Sequence, residues 1–402
     1  MALDLNSFDA ALKQHYTSDR IENMVYKDNP LLALMPKYEQ FGGRNLPVPV
    51  IFGNPQGRSR TFATAQANKT NTQVTDFVLT RDSDYSLASI DNETIEASKG
   101  DANAFMEAAT TEIDGAMQAA TRSLAVSLFR SGSGSIGQAA SATTGTTLQL
   151  KEVEEVTNFE VGMELVVSTA DGGGSVKAGS VTVTGVNRDT GALTIDAASA
   201  IDSGSGIAQD DFIFVEGDYD QALKGLAAWL PASAPTTSDN FFGVDRSADA
   251  SRLAGVRYDG TAEPIEEALI GAASRVAREG GRPTHCVMSY SKFAELEKAL
   301  GSKVQYVDLK ATVDIGFRGI TINGPRGPIS VIADQNCPTD VAYMLQLDCW
   351  KLYSLGKAPR ILDMDGLQML RESNADAVEI RIGYYAQMGC KAPGYNARIA
   401  LS

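Results

Sequence analysis

Two histidines, His15 and His285, are all that this 402-residue chain contains. A Ser-His-Asp triad, a two-histidine metal site or a histidine acid/base pair therefore has almost nothing to be built from. His285 falls in the strand-like run Thr284 to Met288 and reads as a core side chain, while His15 sits in an N-terminal arm. Asp189-Thr-Gly191 spells the triplet of a protease that needs two such carboxylates meeting across a dyad. Here Asn187, Arg188 and Asp189 precede Gly191 between two strand runs, which is hairpin-turn chemistry. Gly172-Gly-Gly-Ser-Val-Lys177 lacks the Gly-Lys-Ser/Thr ending that holds a phosphate and magnesium, so it reads as a flexible loop tip. Asp363-Met-Asp365 falls short of a calcium loop. Cys286, Cys337, Cys349 and Cys390 are far apart and form no C-x-x-C pair, so reduced and mostly buried thiols are expected. No catalytic residue, cofactor or metal site is expected, and the chain is expected not to be an enzyme.

Charge narrows the partners. The net charge is −15, and an acidic surface repels phosphate, which argues against a dedicated nucleic-acid binder. It leaves room for a protein that encloses nucleic acid without gripping it. Arg58, Arg60 and Lys69 are the clustered positive charges in this negative chain. They are read either as a solvated loop or as a contact with acidic groups on an adjacent subunit, with Phe62 among the candidate contacts. A hydrophobic content of 43% and a charged content of 21% are those of a folded protein. No run reaches the roughly 18 apolar residues that a membrane helix needs. The start of the chain lacks the basic and apolar regions of a secretion signal, so residence in a cytoplasm is expected.

The elements that must position these residues are unusually extended. Arg44-Asn-Leu-Pro-Val-Pro-Val-Ile-Phe52 runs outward, a turn-rich tip reaches Thr75, and Asp76 to Ile90 returns. In the returning limb Phe77, Leu79, Tyr85 and Leu87 share one parity, which predicts one half-buried strand. Pro47 and Pro49 cannot donate to a ladder, so the outgoing limb is at best an edge. A two-stranded ribbon alone is marginal in water, and its expected support is a neighbouring copy of the chain. A helix follows, capped by Asp101 and running to Arg130, with Phe105, Met106, Ala109, Ile113, Met117, Ala120, Leu124 and Leu128 at helical spacing. About thirty residues would span roughly 45 Å, the proportions of a strut. Ser131-Gly-Ser-Gly-Ser135 ends it.

Composition then shifts. Residues 141 to 217 are rich in Gly, Ser, Thr and Val, with strand-like runs at Thr147 to Leu150, Met163 to Ser168, Val181 to Val186, Ala192 to Ile195 and Phe212 to Val215. Five short strands at that spacing predict a compact β-barrel or sandwich inserted into a host domain. From Asp218 mixed α/β character returns. A helix begins at Pro264, a strand covers Thr284 to Met288 and a helix Lys292 to Leu300. A hairpin is expected around Gly324-Pro-Arg-Gly327, a strand at Val341 to Leu347, and a long strand from Val378 to Met388 with one face on a core.

In this order the elements resemble the major capsid protein of tailed bacteriophages. Local wording is similar too: Phe129-Arg-Ser-Gly-Ser-Gly134 closing the long helix, Gly225-Leu-Ala-Ala-Trp-Leu-Pro231 after the insertion, and Val287-Met-Ser-Tyr-Ser291 ahead of a helix. The resemblance implies an α+β capsid fold. Residues 1–40 would be an N-terminal arm, 41–90 an extended β-loop, and 91–140 a spine helix and peripheral domain completed by about 361–402. Residues 141–217 would be an inserted β-domain and 218–360 an axial domain. It further implies self-assembly into pentamers and hexamers of an icosahedral shell around a double-stranded DNA genome. A separate scaffolding protein, a portal and a decoration protein would be partners, and the virion the location. Two alternatives stand beside it: a subunit of an encapsulating nanocompartment, and a binding protein whose β-insertion recognises a surface ligand.

Overall fold

The structure is a computed structural model describing residues 24–91, 102–237, 239–301, 306–310, 316–363, 368–372 and 375–402, with the side chains of 102–109, 306–310 and 316–318 excepted. His15, the Asp101 cap and Asp365, and the side chains of Phe105, Met106 and Ala109, lie outside what is described.

Alternation of apolar residues dictates the first sheet. Its centre is the 14-residue strand Ala377–Cys390, whose Val378, Ile380, Ile382, Tyr384, Ala386 and Met388 are buried. Along this strand pair Asp82–Asp91, Trp350–Ser354, Arg360–Ile361 and Met369–Arg371, all antiparallel, and Lys37–Tyr38 completes the six strands beyond Trp350–Ser354. The helix Ala102–Ser127 lies against Asp82–Asp91 and Ala377–Cys390 through Ile113, Met117, Ala120 and Leu124. It ends short of the expected Arg130 because Phe129 and Arg130 donate to the carbonyls of Val126 and Ser127, tightening the last turn.

A seven-stranded sheet forms the second body, in the order Val256–Asp259, Ala397–Ala400, Val341–Leu345, His285–Met288, Gly327–Ala333, Gly316–Gly324, Tyr306–Lys310. Helices Ile265–Arg278 and Tyr290–Leu300 cover it. The first of these starts after Pro264, carries Glu266 and Glu267 in its first turn and Arg275 and Arg278 in its last, and stops at Gly280 with φ +100°. Each feature complements the exposed N–H or C=O groups at its own end. Ala397–Ala400 pairs in this sheet, between Val256–Asp259 and Val341–Leu345, and not beside Ala377–Cys390. The turn Pro393–Tyr395 redirects the chain, and the buried Asn396 side chain fixes it by accepting from Gln346 N and Trp350 Nε1, both at 2.8 Å.

The inserted module has six strands, ordered Ser135–Gln138, Phe212–Val215, Glu164–Ser168, Val181–Asn187, Ala192–Ile195, Thr147–Gln149, around Leu148, Leu165, Val167, Val181, Leu193 and Ile213. The strand missed by sequence reasoning, Ser135–Gln138, emerges from what reads as a flexible breaker. Ser131, Ser133 and Ser135 all donate hydroxyls to the Asp171 carboxylate, which replaces solvent as their partner. The glycine loop after Asp171 is likewise tied down and is not a loose tip. Gly173 N reaches Asp220 Oδ2 at 2.9 Å, Gly174 N reaches Tyr219 OH at 2.8 Å, and Lys177 pairs with the buried Asp211.

The returning limb of the ribbon is two strands, Gln73–Thr80 and Asp82–Asp91, rather than one. Phe77 and Leu79 are buried as expected, but Tyr85 and Leu87 are exposed and Ala88 and Ile90 take the inner face. The parity inverts at Arg81, whose guanidinium donates to the Phe41 carbonyl and lies 5.0 Å from the Phe41 ring. That anchor lets the first strand pair with Asn45–Gly53 and the second with Ala377–Ala386.

Candidate functional site

The ribbon that carries the four candidate residues is Asn45–Gly53 paired with Gln73–Thr80, in register from Asn45 opposite Thr80 to Ile51 opposite Val74, with a shift at Phe52 before Gly53 meets Gln73. Its inner face, Val48, Val50, Phe77 and Leu79, is buried against the chain's own body. The expectation that only another copy could support the ribbon is corrected here. Phe77 enters an aromatic cluster, edge-on to Trp229 at 4.9 Å and to Phe241 at 6.1 Å between ring centroids. Trp229 is held by its own Nε1 donating to Met388 O at 3.1 Å. Arg246 closes the cluster from the side. Its guanidinium sits 4.1 Å from the Phe241 centroid, forks onto Asp239 and donates to Ala228 O at 2.7 Å. Arg252 Nη1 adds a bond to Phe52 O at 2.7 Å.

Both long edges of the ribbon are interrupted. Val78 N points away from its partner Pro47 and donates to Phe242 O at 3.0 Å, so this cross-strand pair lies at a position where backbone groups face outward. Pro47 and Pro49 share that outward parity, and neither has an N–H to offer. The eight outward side chains, Asn45, Pro47, Pro49, Ile51, Val74, Asp76, Val78 and Thr80, are all exposed, and five of them are apolar. Ile51 is 62% and Val74 54% exposed, directly opposite each other.

Beyond Gly53 the chain projects. Arg58 and Arg60 precede a six-residue helix, Phe62–Ala67, that buries no side chain, and Lys69 follows it. Phe62 is 82% exposed. Gln56 N bonds Thr70 Oγ1 at 2.8 Å, closing the tip on itself, so Arg58 and Lys69 stand at the same narrow neck. Arg58, Arg60 and Lys69 are part of no ion pair among the described residues.

The decoys resolve into local structure. Asn187 Oδ1 accepts from Asp189 N and Thr190 N, the expected turn. His285 bonds Thr284 Oγ1 at 2.9 Å, and burial pushes its imidazole pKa down. The four cysteines are free, and burial pushes Cys286 up to about 12 and Cys349 up to about 11. Among the described residues no three His, Cys, Asp or Glu side chains converge as metal ligands, and no helix is long and apolar enough to cross a membrane.

Acids that the sequence reading passed over gather where the ribbon meets the body. A cavity of about 230 Å³ opens between the long helix, strand Asp82–Asp91 and the inserted module, lined in part by Asp84, Ser127, Arg130, Met163, Asp218 and Tyr384. Burial, aided by the Asp84 charge, raises Asp218 to about 6. Burial also raises Asp82 to about 6, against the opposing pull of Lys224 and of Gln387, whose Nε2 donates to it at 2.6 Å.

No protein-family model and no curated protein matches the chain. Solved structures do. A chain of the cyanophage A-1(L) capsid asymmetric unit superposes with a TM-score of 0.55 at 13% identity, over 99% of each chain. The chain has the phage capsid fold. Weaker superpositions join it: Mycobacterium phage Bobi at 0.41 and 9% identity, over 100% of this chain and 99% of that one, and the holo-SrpI encapsulin complex of Synechococcus elongatus at 0.43 and 9%, over 100% and 96%. On this capsid fold the residues missed by sequence reasoning are the seat of the ribbon, Trp229, Phe241, Phe242 and Arg246. The adjacent pair Phe241-Phe242 in a polar stretch was the available signal.

Proposed function

We propose that this chain is the structural subunit of a capsid shell, acting by association rather than by catalysis. What supports the reading above all is agreement with a capsid chain along the whole length of both molecules. In this reading the ribbon and tip at 41–90 overlap a neighbouring copy. The long helix and the sheet around Ala377–Cys390 form the peripheral domain, the seven-stranded sheet packs around five- and six-fold centres, and the module decorates the shell. Pentamers and hexamers then close into an icosahedral particle that encloses DNA behind an acidic wall. Scaffolding, portal and decoration proteins take part in assembly. Many modest contacts become strong once the shell closes on itself.

The test replaces residues 54–72 with a short Gly-Ser turn. The root of the ribbon keeps Val48, Val50, Phe77 and Leu79, so the variant is expected to fold and remain soluble, yet form no closed particles by electron microscopy. Intact shells from it would sink the role of the tip. A wild-type chain that stays monomeric at all concentrations would sink the shell itself.

A further inference from the structure

We infer that the cavity between the long helix, strand Asp82–Asp91 and the inserted module binds a small aliphatic amine, its ammonium group held by Asp84 and Asp218 and its hydrocarbon part by the walls around them. The site lies within one subunit and does not rest on the shell reading. Its volume is about 230 Å³, below the roughly 300–1,000 Å³ of a drug-sized pocket, so the ligand is short. Asp84 supplies the observation that points to a ligand. Its Oδ2 is sealed from solvent and accepts no hydrogen bond, while the buried Tyr384 hydroxyl serves the same carboxylate. A buried acceptor without a donor is costly, and more so when it belongs to a charged group. Asp218 stands close enough for the Asp84 charge to act on it.

Two neighbouring carboxylates call for a cation, and the bases on the same wall are engaged with other acids. Arg122 Nη1 pairs with Glu160 and Arg130 Nη2 with Glu155, both at 2.6 Å. Arg130 Nε has no acceptor, yet Arg130 also borders a separate small pocket beside Glu154 and Thr339, and its bond to Glu155 turns its charge away from Asp84. The walls decide which cation fits. A metal ion needs a cage of oxygens, and among the described residues no three His, Cys, Asp or Glu side chains converge. Between polar groups such as Asn158 and Gln221, the lining is carried by Val126 of the helix, Ile136, Met163 and Val215 of the module, and Ala222. An alkylammonium meets both demands. Its head has donors and no acceptor, as a lysine head does, and its stem lies along apolar surface. A ligand seated there touches helix, strand and module at once and braces the module against the body.

The test titrates the full-length subunit with n-butylammonium chloride at neutral pH, with n-butanol and potassium chloride at equal concentrations as controls. Melting temperature and heat of binding are followed together. The amine is expected to raise the melting temperature to a plateau, and the controls are not. Asp84→Asn and Asp218→Asn should each weaken binding about tenfold or more. Ala119→Leu keeps both carboxylates but fills space on the cavity wall, and should abolish the effect. Its exposed helix position lets the variant fold whatever the aspartate variants do. Equal stabilisation by butanol would make the site merely apolar and overturn the inference. So would an amine effect that survives Ala119→Leu, since the amine would then sit elsewhere on a chain of net charge −15. No response to the amine would leave the Asp84 oxygen to water and would overturn it as well.

Discussion

Phe77 shows how one side chain can fix the attitude of a projecting element. It is fully buried among Trp229 and Phe241, and truncating it to alanine removes a ring from a cluster that cannot easily collapse. Phe77→Ala is expected to destabilise the subunit by about 3–5 kcal/mol in denaturant unfolding. A loss below about 1 kcal/mol would mean that the ribbon root is not held there. Asp218 makes the complementary point about charge. Its pKa is raised to about 6, so its protonated form is the one the fold prefers. That contribution is whole below the ordinary carboxylate range near 4 and is lost as pH rises through about 6. The melting temperature should therefore fall between about pH 4 and pH 6, and Asp218→Asn should flatten the fall by removing the ionisation. An unchanged slope in that variant would show that Asp218 is not the group responsible. The burial of Phe77 was legible from its strand parity, but its aromatic seat and the role of Asp218 were not, because both come from partners more than a hundred positions away. The cationic tip was legible, since three like charges in an acidic chain need no tertiary knowledge to notice.

At the scale of elements, periodicity was a good guide wherever one face meets one core. Ala377–Cys390 and Ile265–Arg278 match their apolar patterns nearly to the residue. Pattern reading failed where a long-range bond changed the rule midway. The parity of the returning limb inverts at Arg81 because Phe41 captures its guanidinium, and nothing local announces that capture. Ser135–Gln138 was hidden for a similar reason: serines and glycines that would loosen a chain in water are fastened by one carboxylate at Asp171. The long helix offers a prediction of its own. Gly115 lies in its interior with open space where a Cβ would project and with an ordinary negative φ. Gly115→Ala should stabilise the subunit by about 0.5–1 kcal/mol through reduced freedom of the unfolded chain. Calorimetry would register this as a higher melting temperature, and a lower one would mean that the exposed helix face is packed against something in the protein as purified.

For the whole molecule, the two sheets share a hydrophobic core, with Val287, Ile332, Tyr343 and Leu345 of one clustered with Trp350, Ile380 and Met388 of the other, and a polar stitch adds to it. Asn396 lies between them and is completely buried. Its carbonyl oxygen serves Gln346 N and Trp350 Nε1, while its Nδ2 serves Ala392 O at 2.9 Å. Asn396→Leu keeps the volume but strands two buried donors, each worth about 1–3 kcal/mol when left unpaired. Because Trp350 belongs to one sheet and the strand after Asn396 to the other, the variant should lower a single cooperative transition. Splitting into two transitions would mean that the sheets are independent units. The overall order of elements was readable from sequence. The stitching was not, since asparagine in a turn is ordinary until its neighbours are known.

The seat of Phe77 also has a history within synthesis. Trp229 is steadied by the carbonyl of Met388 and stands 6.1 Å from Trp350, yet the ribbon leaves the ribosome long before either is made. For most of translation the nascent ribbon therefore has no bearing surface, and Val256–Asp259 waits for its strand partner until Ala397–Ala400 emerges. Polypeptides still being made thus hold their projecting element unmoored, and only a finished one has it fully seated.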